Sequence, residues 1–531
     1  MKYLNKILIL SGVASLIFSN CTKDFEELNR NKDAVTSANY TASFNLTKAQ
    51  LEFSGNSDFS YDNWRVNIIY ASTMIQQLAS PTYYAGDKYQ QNDAWSTALF
   101  DVGYTDQVKY IVDMLEITRE NPNLSNLYQI GRIQKAMIFH RITDVYGDIP
   151  YTEAGLGYYT RLFTPKYDGQ QSIYMDMLKE LDEAAQALDP SKDNPAAQDL
   201  IYGRAGFSDQ IGQWKKLAYS LMLRLGMRLI KVDAAAAKTW VEKAYAGGVM
   251  STNDDNAYIV HQTGGRPTVN RNSEILYGPE NNDAGSGHAF LSKTLVDYLK
   301  STADPRLQFI SQVKGTPTDP QFDNITGSTN PALQIGMPNG KNKSGAANDI
   351  TTDPNYPGDI NKYSTIRPDV FLKLDGPYFI VTYAQTELLL AEAAQRGWNV
   401  GASAQIHYNN GVTAAMEQFA QYSAVATIPA GAITTYLAAN PYSAATGLKQ
   451  INTQYWVASF LDWYEAWANW RRTDFPTLTP VNYPGNATGG QIPRRMLYPA
   501  GEASANGTNY QAAITAQGAN TLTTRVWWDK P

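Results

Sequence analysis

Apolar residues recur at spacings of three and four along large parts of this chain, which is the periodicity of an amphipathic α-helix. The pattern predicts helices and helical hairpins over about 171–188, 212–247 and 377–421. The clearest periodic residues are Tyr174, Met177, Leu178, Leu181, Ala185 and Leu188, followed by Trp214, Leu217, Ala218, Leu221, Leu225 and Leu229.

Two long stretches lack this periodicity. Residues 253–289 and 315–367 are dense in Gly, Pro, Asn, Asp and Thr. Loops of this length within a compact domain are usually functional or lie at interfaces. The paired helices around them, with small residues where they cross, resemble tetratricopeptide-type hairpins. We therefore expect an all-α fold in which tetratricopeptide-like helical hairpins form a superhelical scaffold, with large irregular loop-rich insertions.

The segment 450–472 carries the most regular aromatic pattern. Five large rings recur at steps of four, three, four and three, which predicts one helix with an aromatic stripe that packs into the core. Arg471 and Arg472 follow near the end of this helix, where positive charge suits the helix dipole. The rings of the stripe are Trp456, Phe460, Trp463, Trp467 and Trp470.

The beginning of the chain has the pattern of an export signal that ends at the single cysteine. Lys2 and Lys6 precede an apolar run over residues 7–18, which is too short to cross a bilayer of roughly 30 Å as a helix. A free thiol is a liability in an exported protein, and the junction resembles the lipobox of bacterial lipoproteins. We predict a signal peptide over 1–20, a lipid anchor at Cys21, a polar tether over 21–41 and a single domain over 42–531.

The charge balance argues against a nucleic-acid partner. The chain carries 44 Lys and Arg residues and 50 Asp and Glu residues, for a net charge of −6, without a basic block. Its 35 Tyr and 11 Trp residues are unusually many. Tyrosine suits recognition surfaces because the ring packs while the hydroxyl stays in water, although many of these rings will be core.

Motifs for catalysis and metal binding are missing from the sequence. The four histidines have no metal-ligand spacing, and one cysteine excludes a thiolate zinc cage. Neither HExxH nor GxSxG occurs, and the segment 353–364 resembles only the first half of a calcium loop. We predict no catalytic residue, no cofactor and no metal. A surface glycoside hydrolase stays open as an alternative, because its two carboxylates need no local motif.

A ligand site is better sought among exposed aromatic side chains. Tyr83 and Tyr84 stand in a loop bounded by proline and glycine, and Trp95 follows nearby. Exposed rings stack on the apolar faces of sugars, while Asn, Arg and Asp bind the hydroxyls. We predict that Tyr83, Tyr84 and Trp95 form a ligand-binding surface and that Arg266 is a polar contact. Packing under a neighbouring loop, or a solvated arginine, is the alternative.

Five segments, taken in order, cover nearly the whole mature chain. They are RITDVYGDIPY at 141–151, WKKLAYSLMLRL at 214–225, ELLLAEAA at 387–394, WYEAWANWRRTDFP at 463–476, and IPRR followed by YP and a glutamate at 492–502. With the lipobox, they resemble the SusD/RagB outer-membrane lipoproteins of Bacteroidetes.

The resemblance implies a cell-surface lipoprotein, attached to the outer membrane through its lipid, that is not an enzyme. Such a protein binds an oligomeric nutrient and delivers it to a SusC-like TonB-dependent transporter. The resemblance favours an oligosaccharide as ligand, with an oligopeptide as the alternative. A structural partner of the transporter without its own ligand site is a further alternative. Ligand-contacting residues differ between members of the family, so none is transferred by position.

Overall fold

The computed structural model describes residues 40–204, 206–279, 281–314, 327–343, 345 and 347–531. The predicted signal peptide, Cys21 and the tether up to residue 39 lie outside the described residues, as does part of the second loop-rich stretch. Residues Ser43–Pro531 form one compact unit, which is mainly α-helical, as predicted. Within the described ranges, no helix combines the length and the apolar character needed to cross a membrane.

Several of the longer α-helices begin at a polar residue that caps the first turn. Asp209, Asp233 and Ser403 each accept a hydrogen bond from the backbone N–H three residues ahead. The longer helices are α1 (Ser43–Phe53), α2 (Lys109–Thr118), α3 (Ser125–Tyr146), α4 (Gln170–Ala187), α5 (Gln210–Arg228), α6 (Ala234–Gly247), α7 (Arg271–Tyr277), α8 (Lys293–Ser301), α9 (Tyr383–Gln395), α10 (Ala404–Glu417), α11 (Ala430–Ala439), α12 (Gly447–Ala458), α13 (Trp463–Thr473) and α14 (Gly507–Gln517).

Shorter helical segments connect these helices. Two are π-helical, Asn63–Ala71 and Gly103–Val108. The short α-helices are Ser72–Met74, Asp93–Ser96, Ala98–Val102, Gly157–Thr160, Leu307–Ile310, Pro368–Phe371, Phe419–Tyr422 and Glu502–Ala505. The 3₁₀ turns are Ala85–Lys88, Pro122–Leu124, Ala196–Gln198, Leu229–Lys231, Asn253–Asp255, Arg266–Thr268, Pro331–Leu333, Ile350–Thr352, Ile360–Lys362, Ala424–Ala426 and Ala444–Thr446.

Consecutive long helices pack side by side as hairpins, chiefly α3 with α4, α5 with α6, and α9 with α10. Small residues at the crossings permit this packing. A Cβ atom at Gly411 of α10 would lie 2.7 Å from Cγ of Leu388 on α9, so these helices approach closely because Gly411 has no side chain. The predicted tetratricopeptide-like helical fold is therefore confirmed. The predicted helical stretch 377–421, however, begins with a strand.

The strands are short and pair antiparallel in separate two-stranded sheets. The core is buried mainly between helices. The two-stranded sheets instead connect loop segments to one another. The pairs are β1 (Leu78–Ala79) with β5 (Phe290–Leu291), β2 (Ile149–Pro150) with β3 (Tyr167–Asp168), β4 (Ala257–Val260) with β8 (Pro377–Val381), and β6 (Ser311–Gln312) with β7 (Thr365–Ile366).

The aromatic segment forms two helices, which corrects the prediction of one. Between α12 and α13, Leu461 has a φ of 77°, in the left-handed region that ends a helix. Asp462 then caps α13 by accepting a hydrogen bond from the N–H of Glu465 at 3.4 Å. The stripe is nevertheless buried as predicted, at Trp456, Phe460, Trp463, Trp467 and Trp470.

Replacing Trp463 by alanine should destabilise the protein strongly. The indole is completely buried, and its N–H donates to Oε1 of Gln77 at 2.8 Å. Removing a buried aromatic ring costs about 3–5 kcal/mol of unfolding free energy. Urea denaturation of Trp463→Ala beside Trp398→Ala, whose indole is only partly buried, measures the difference. Equal losses in the two variants would contradict a core role for Trp463.

A buried carboxylate on α9 joins this helix to α13. Glu392 accepts hydrogen bonds from both terminal nitrogens of Arg472, at 2.8 and 2.6 Å, and from Arg396 at 2.8 Å. Burial alone would raise the pKa of Glu392, but the attraction of Arg472 and Arg396 outweighs it and lowers this pKa to about 2. Because the pKa is depressed, the stability from this group is present above the unfolded value of roughly 4.3 and is lost as the pH falls towards 2.

Glu392→Gln should therefore remove a pH-dependent part of the stability. Near neutral pH the variant leaves the buried guanidinium of Arg472 without its carboxylate, which costs about 3–5 kcal/mol of unfolding free energy. Below pH ~4.3 the carboxylate becomes protonated in the unfolded wild-type chain, while in the folded protein it stays charged down to a pKa of about 2. The wild type therefore loses this stability as the pH falls, and the difference between the two proteins should shrink. Urea denaturation between pH 7 and 3 tests this expectation. A constant difference across that range would show that the charge of Glu392 is not what stabilises the contact.

Candidate functional site

A π-helical turn brings an arginine among aromatic rings. Arg65 lies in the segment Asn63–Ala71, and π-helical turns occur frequently at functional sites. Its guanidinium carbon is 3.8 Å from the ring centroid of Trp64 and 4.8 Å from that of Trp95. Tyr61 lies on a further side at 5.3 Å. The half-buried arginine is thus held among three aromatic rings by cation–π contacts.

Three aromatic side chains converge on the carboxylate of Asp283. The hydroxyls of Tyr83 and Tyr84 donate to Oδ2 of Asp283 at 2.9 and 2.5 Å. The indole N–H of Trp64 donates to the same oxygen at 3.1 Å. Tyr83 is 36% exposed, whereas Tyr84 is completely buried. The expectation that Tyr84 lies at the surface is therefore wrong, because its hydroxyl is drawn inward to Asp283.

Trp95 completes the surface around Tyr83. It lies in the short helix Asp93–Ser96, where Asn92 accepts a hydrogen bond from the N–H of Trp95 at 3.1 Å. The rings of Tyr83 and Trp95 stand 6.0 Å apart, edge to face. His288 packs against the other side of Tyr83 at 5.1 Å, and its Nδ1 lies 3.0 Å from Oγ1 of Thr82. We call Tyr61, Arg65, Tyr83, Trp95 and His288 the aromatic platform.

Arg266 lies at one end of a chain of contacts that leads to the platform. Its guanidinium is 5.0 Å from the ring of Phe59, and the rings of Phe59 and Trp64 are 5.3 Å apart. Its Nε also forms an ion pair with Glu274 at 2.9 Å. The structure thus joins Arg266 to the predicted aromatic residues through intervening rings. The ion pair and the ring contact show that Arg266 stabilises the loop that carries it.

Burial dominates the electrostatics of this region. It raises the pKa of Asp283 above its usual range, although the donors on Tyr84 and Tyr83 oppose the shift. Burial also raises the pKa of the Tyr83 hydroxyl, and the neighbouring Asp283 charge adds to this effect. Tyr83 is therefore a neutral hydrogen-bond donor throughout the physiological range. Its ring orientation is fixed by that hydrogen bond, which gives the exposed face a defined direction.

A groove of about 500 Å³ is lined by residues outside the aromatic platform. Asn282, which lines it, directly precedes Asp283, and Thr263 belongs to the loop that carries Arg266. Its remaining wall mixes apolar and charged residues, as ligand grooves commonly do. The residues Tyr277, Pro279, Leu372, Lys373 and Asp375 are among them.

Several residues of this region were not predicted from the sequence. Arg65 follows Tyr61 and Trp64 closely, so an arginine among aromatic residues was the available signal. No local sequence pattern indicated Asp283 or His288, because they are about two hundred positions from Tyr83 and contact it only in the folded chain.

One group of side chains among the described residues has the spacing of metal ligands, namely His140, Asp144 and Glu465. It is buried, and Arg228 already occupies it. The Arg228 guanidinium lies 2.7 Å from Glu465 and 3.4 Å from Asp144. A cation would meet this positive charge, so the cluster fits an internal ion-pair network rather than a metal centre. The calcium-like segment is also occupied, since Lys341 pairs with Asp353 at 3.0 Å.

Comparisons with known proteins identify the fold. A sequence model of a SusD-like family, described as starch-binding and associating with the outer membrane, matches residues 33–499. No protein with a curated functional description matches this chain.

Solved structures match over nearly the whole chain. A chitin-binding protein shares 34% identity over 92% of this chain and 100% of its own, with a TM-score of 0.79. A SusD-like protein from Bacteroidetes shares 27% identity over 93% and 100%, also with a TM-score of 0.79. A chitin-binding SusD homologue from Flavobacterium johnsoniae, at 23% identity over 92% and 99% with a TM-score of 0.74, supports the fold alone.

Proposed function

This chain belongs to the SusD-like family, and we propose that it is an outer-membrane surface lipoprotein that binds an oligosaccharide on the aromatic platform. The observation that carries the proposal is the edge-to-face pair of the exposed Tyr83 and the partly buried Trp95, with the guanidinium of Arg65 against the tryptophan. The 34% identical relative is named a chitin-binding protein, which makes chitin oligosaccharides the first ligands to test.

The platform has the chemistry that a sugar needs. Sugar rings present apolar C–H faces that pack on aromatic rings, and their hydroxyls need directed hydrogen bonds. The N–H groups of Arg65 can supply such donors beside the ring of Trp95. Because Asp283 holds the Tyr83 ring in place before binding, little side-chain freedom is lost when the ligand docks.

The remaining parts of the proposal concern location and partner. Cys21 would carry the lipid, and the polar residues after it would connect the lipid to the folded body. The bound oligosaccharide would pass to a SusC-like TonB-dependent transporter. No reaction is assigned to the platform, since it presents rings and a guanidinium, and its one carboxylate, Asp283, is buried beneath the tyrosines.

Alanine at Trp95 or Tyr83 should weaken binding of chitin oligosaccharides about tenfold each. Tyr83→Ala should also lower the unfolding free energy by about 1–3 kcal/mol, because it removes a hydrogen bond to the buried carboxylate of Asp283. The expected loss of affinity is that of one ring–sugar stacking contact, and tenfold corresponds to ~1.4 kcal/mol. Isothermal titration calorimetry on residues 22–531 measures it. Tyr245→Ala is the matched control, because Tyr245 is also 36% exposed but lies on α6, outside the platform.

Unchanged affinity in the double variant Tyr83→Ala and Trp95→Ala would remove the platform from the ligand site. Binding of oligopeptides with higher affinity than any oligosaccharide would replace the proposed ligand class. Tyr83→Phe separates two roles of this residue. It keeps the ring but loses the hydrogen bond to Asp283, so a partial loss of affinity would show that the fixed ring orientation matters.

Replacing Cys21 by serine should abolish lipid attachment and release the protein from membranes. The physical reason is that acyl chains contribute about 0.8 kcal/mol per buried CH₂, and no other anchor is proposed. Fractionation of cells that express wild type or Cys21→Ser, with immunoblotting, measures the change. If the variant stays in the membrane fraction with unchanged electrophoretic mobility, the lipoprotein assignment fails.

A further inference from the structure

A second cleft, with a volume of about 290 Å³, lies outside the aromatic platform. It is bounded by the short helices Ala98–Val102 and Glu502–Ala505 and by the segment 150–165. Aromatic rings form much of its wall, namely those of Phe100, Tyr104 and Phe163. The cleft is large enough to hold a small ring compound rather than water alone.

Phe163 is unusually exposed for its size. Its side chain is 79% accessible although it lines the cleft, so the ring projects at the mouth rather than filling the core. Tyr104, in contrast, is fixed because its hydroxyl donates to the carbonyl of Pro150 at 2.6 Å. The rings of Phe100 and Tyr104 lie 4.9 Å apart. The cleft therefore has a fixed aromatic wall and one exposed ring at its mouth.

The polar side chains of the cleft are acidic or neutral. Asp101 accepts a hydrogen bond from Thr97 at 3.0 Å, and Glu502 accepts one from Tyr167 at 2.7 Å, which leaves each carboxylate a second oxygen. The side chain of Asn506 donates to the carbonyl of Pro165 at 2.7 Å. No lysine or arginine is among the described residues that line the cleft. No basic side chain among these lining residues therefore neutralises the negative charge of Asp101 and Glu502.

We propose that this cleft is a second ligand-binding site, which takes a sugar unit that carries a protonated amine. The apolar face of the sugar stacks on Phe163, and the ammonium group lies between the carboxylates of Asp101 and Glu502. Ring faces attract cations, and carboxylates attract them more strongly, whereas a neutral N-acetylated sugar gains only the stacking contact. The geometry thus favours deacetylated over acetylated amino sugars.

The cleft lies close to the aromatic platform along the chain, but the two sites share no residue. Trp95 and Asp101 are six residues apart, so no more than about 20 Å separates their Cα atoms. They lie on consecutive short helices, Asp93–Ser96 and Ala98–Val102. One oligosaccharide could reach both sites, yet each has its own rings and its own charged groups. The two proposals can therefore fail separately.

The test compares glucosamine oligomers with N-acetylglucosamine oligomers of equal length, titrated calorimetrically into residues 22–531 below the pKa of the amine. We expect Phe163→Ala to weaken binding of the glucosamine oligomer about tenfold and Asp101→Asn to weaken it and reduce its salt dependence. The matched control is Tyr158→Ala, because Tyr158 lies on the same segment and is 87% exposed but does not line the cleft.

Trp95→Ala separates this site from the platform. We expect it to weaken the N-acetylated oligomer strongly while the effect of Phe163→Ala on the glucosamine oligomer persists in the double variant. The cleft proposal is overturned if Phe163→Ala and Asp101→Asn leave the affinity for the glucosamine oligomer unchanged, or if Tyr158→Ala weakens it equally. Loss of all binding in Trp95→Ala alone would also overturn it, while supporting the platform.

Discussion

A buried network of opposite charges joins the helices on which the rest of the structure is assembled. Asp144 on α3, Arg228 on α5 and Glu465 on α13 meet in the core, with Arg228 2.7 Å from Glu465 and 3.4 Å from Asp144. Burial alone would raise the pKa of Asp144, but the attraction of His140 and Arg228 outweighs it and lowers this pKa. Removing one of these side chains would leave the remaining buried charges without a partner and away from water, which is strongly destabilising. The packing of each of the three helices therefore depends on the other two.

Helix α13 also contacts the segment that carries the proposed aromatic platform. The backbone N–H of Tyr464 donates to the side chain of Asn67 at 3.0 Å, and the indole of Trp463 donates to Gln77 at 2.8 Å. Asn67 lies in the same π-helix as Arg65, so the helix that holds the buried charges also holds the turn that presents the platform arginine. If the proposed platform binds a ligand, this attachment keeps its rings in place, as binding loops on rigid scaffolds require.

Predictions from the sequence are most accurate for structure that is determined by contacts between residues close together in the chain. Spacings of three and four predicted the helices α4, α5 and α6, because each helix face is defined by residues within a few positions. The aromatic stripe predicted burial correctly but not the break at Leu461, whose left-handed backbone depends on the capping of α13 by Asp462. Arg472 appeared suited only to a helix end, although it pairs with Glu392, eighty positions away. Contacts of that range leave no local pattern.

The same limit explains why one of two adjacent tyrosines was placed wrongly. Both donate to Asp283, and the position of that carboxylate decides that Tyr84 is buried while Tyr83 is partly exposed. Burial of a carboxylate costs stability, and burial accordingly raises the pKa of Asp283, although its hydrogen-bond donors and the neighbouring His288 oppose the shift. The same carboxylate fixes the exposed ring of Tyr83 beside Trp95. Sites that bind ligands commonly retain such locally unfavourable arrangements, because a ring already held in its binding orientation loses no freedom when the ligand arrives.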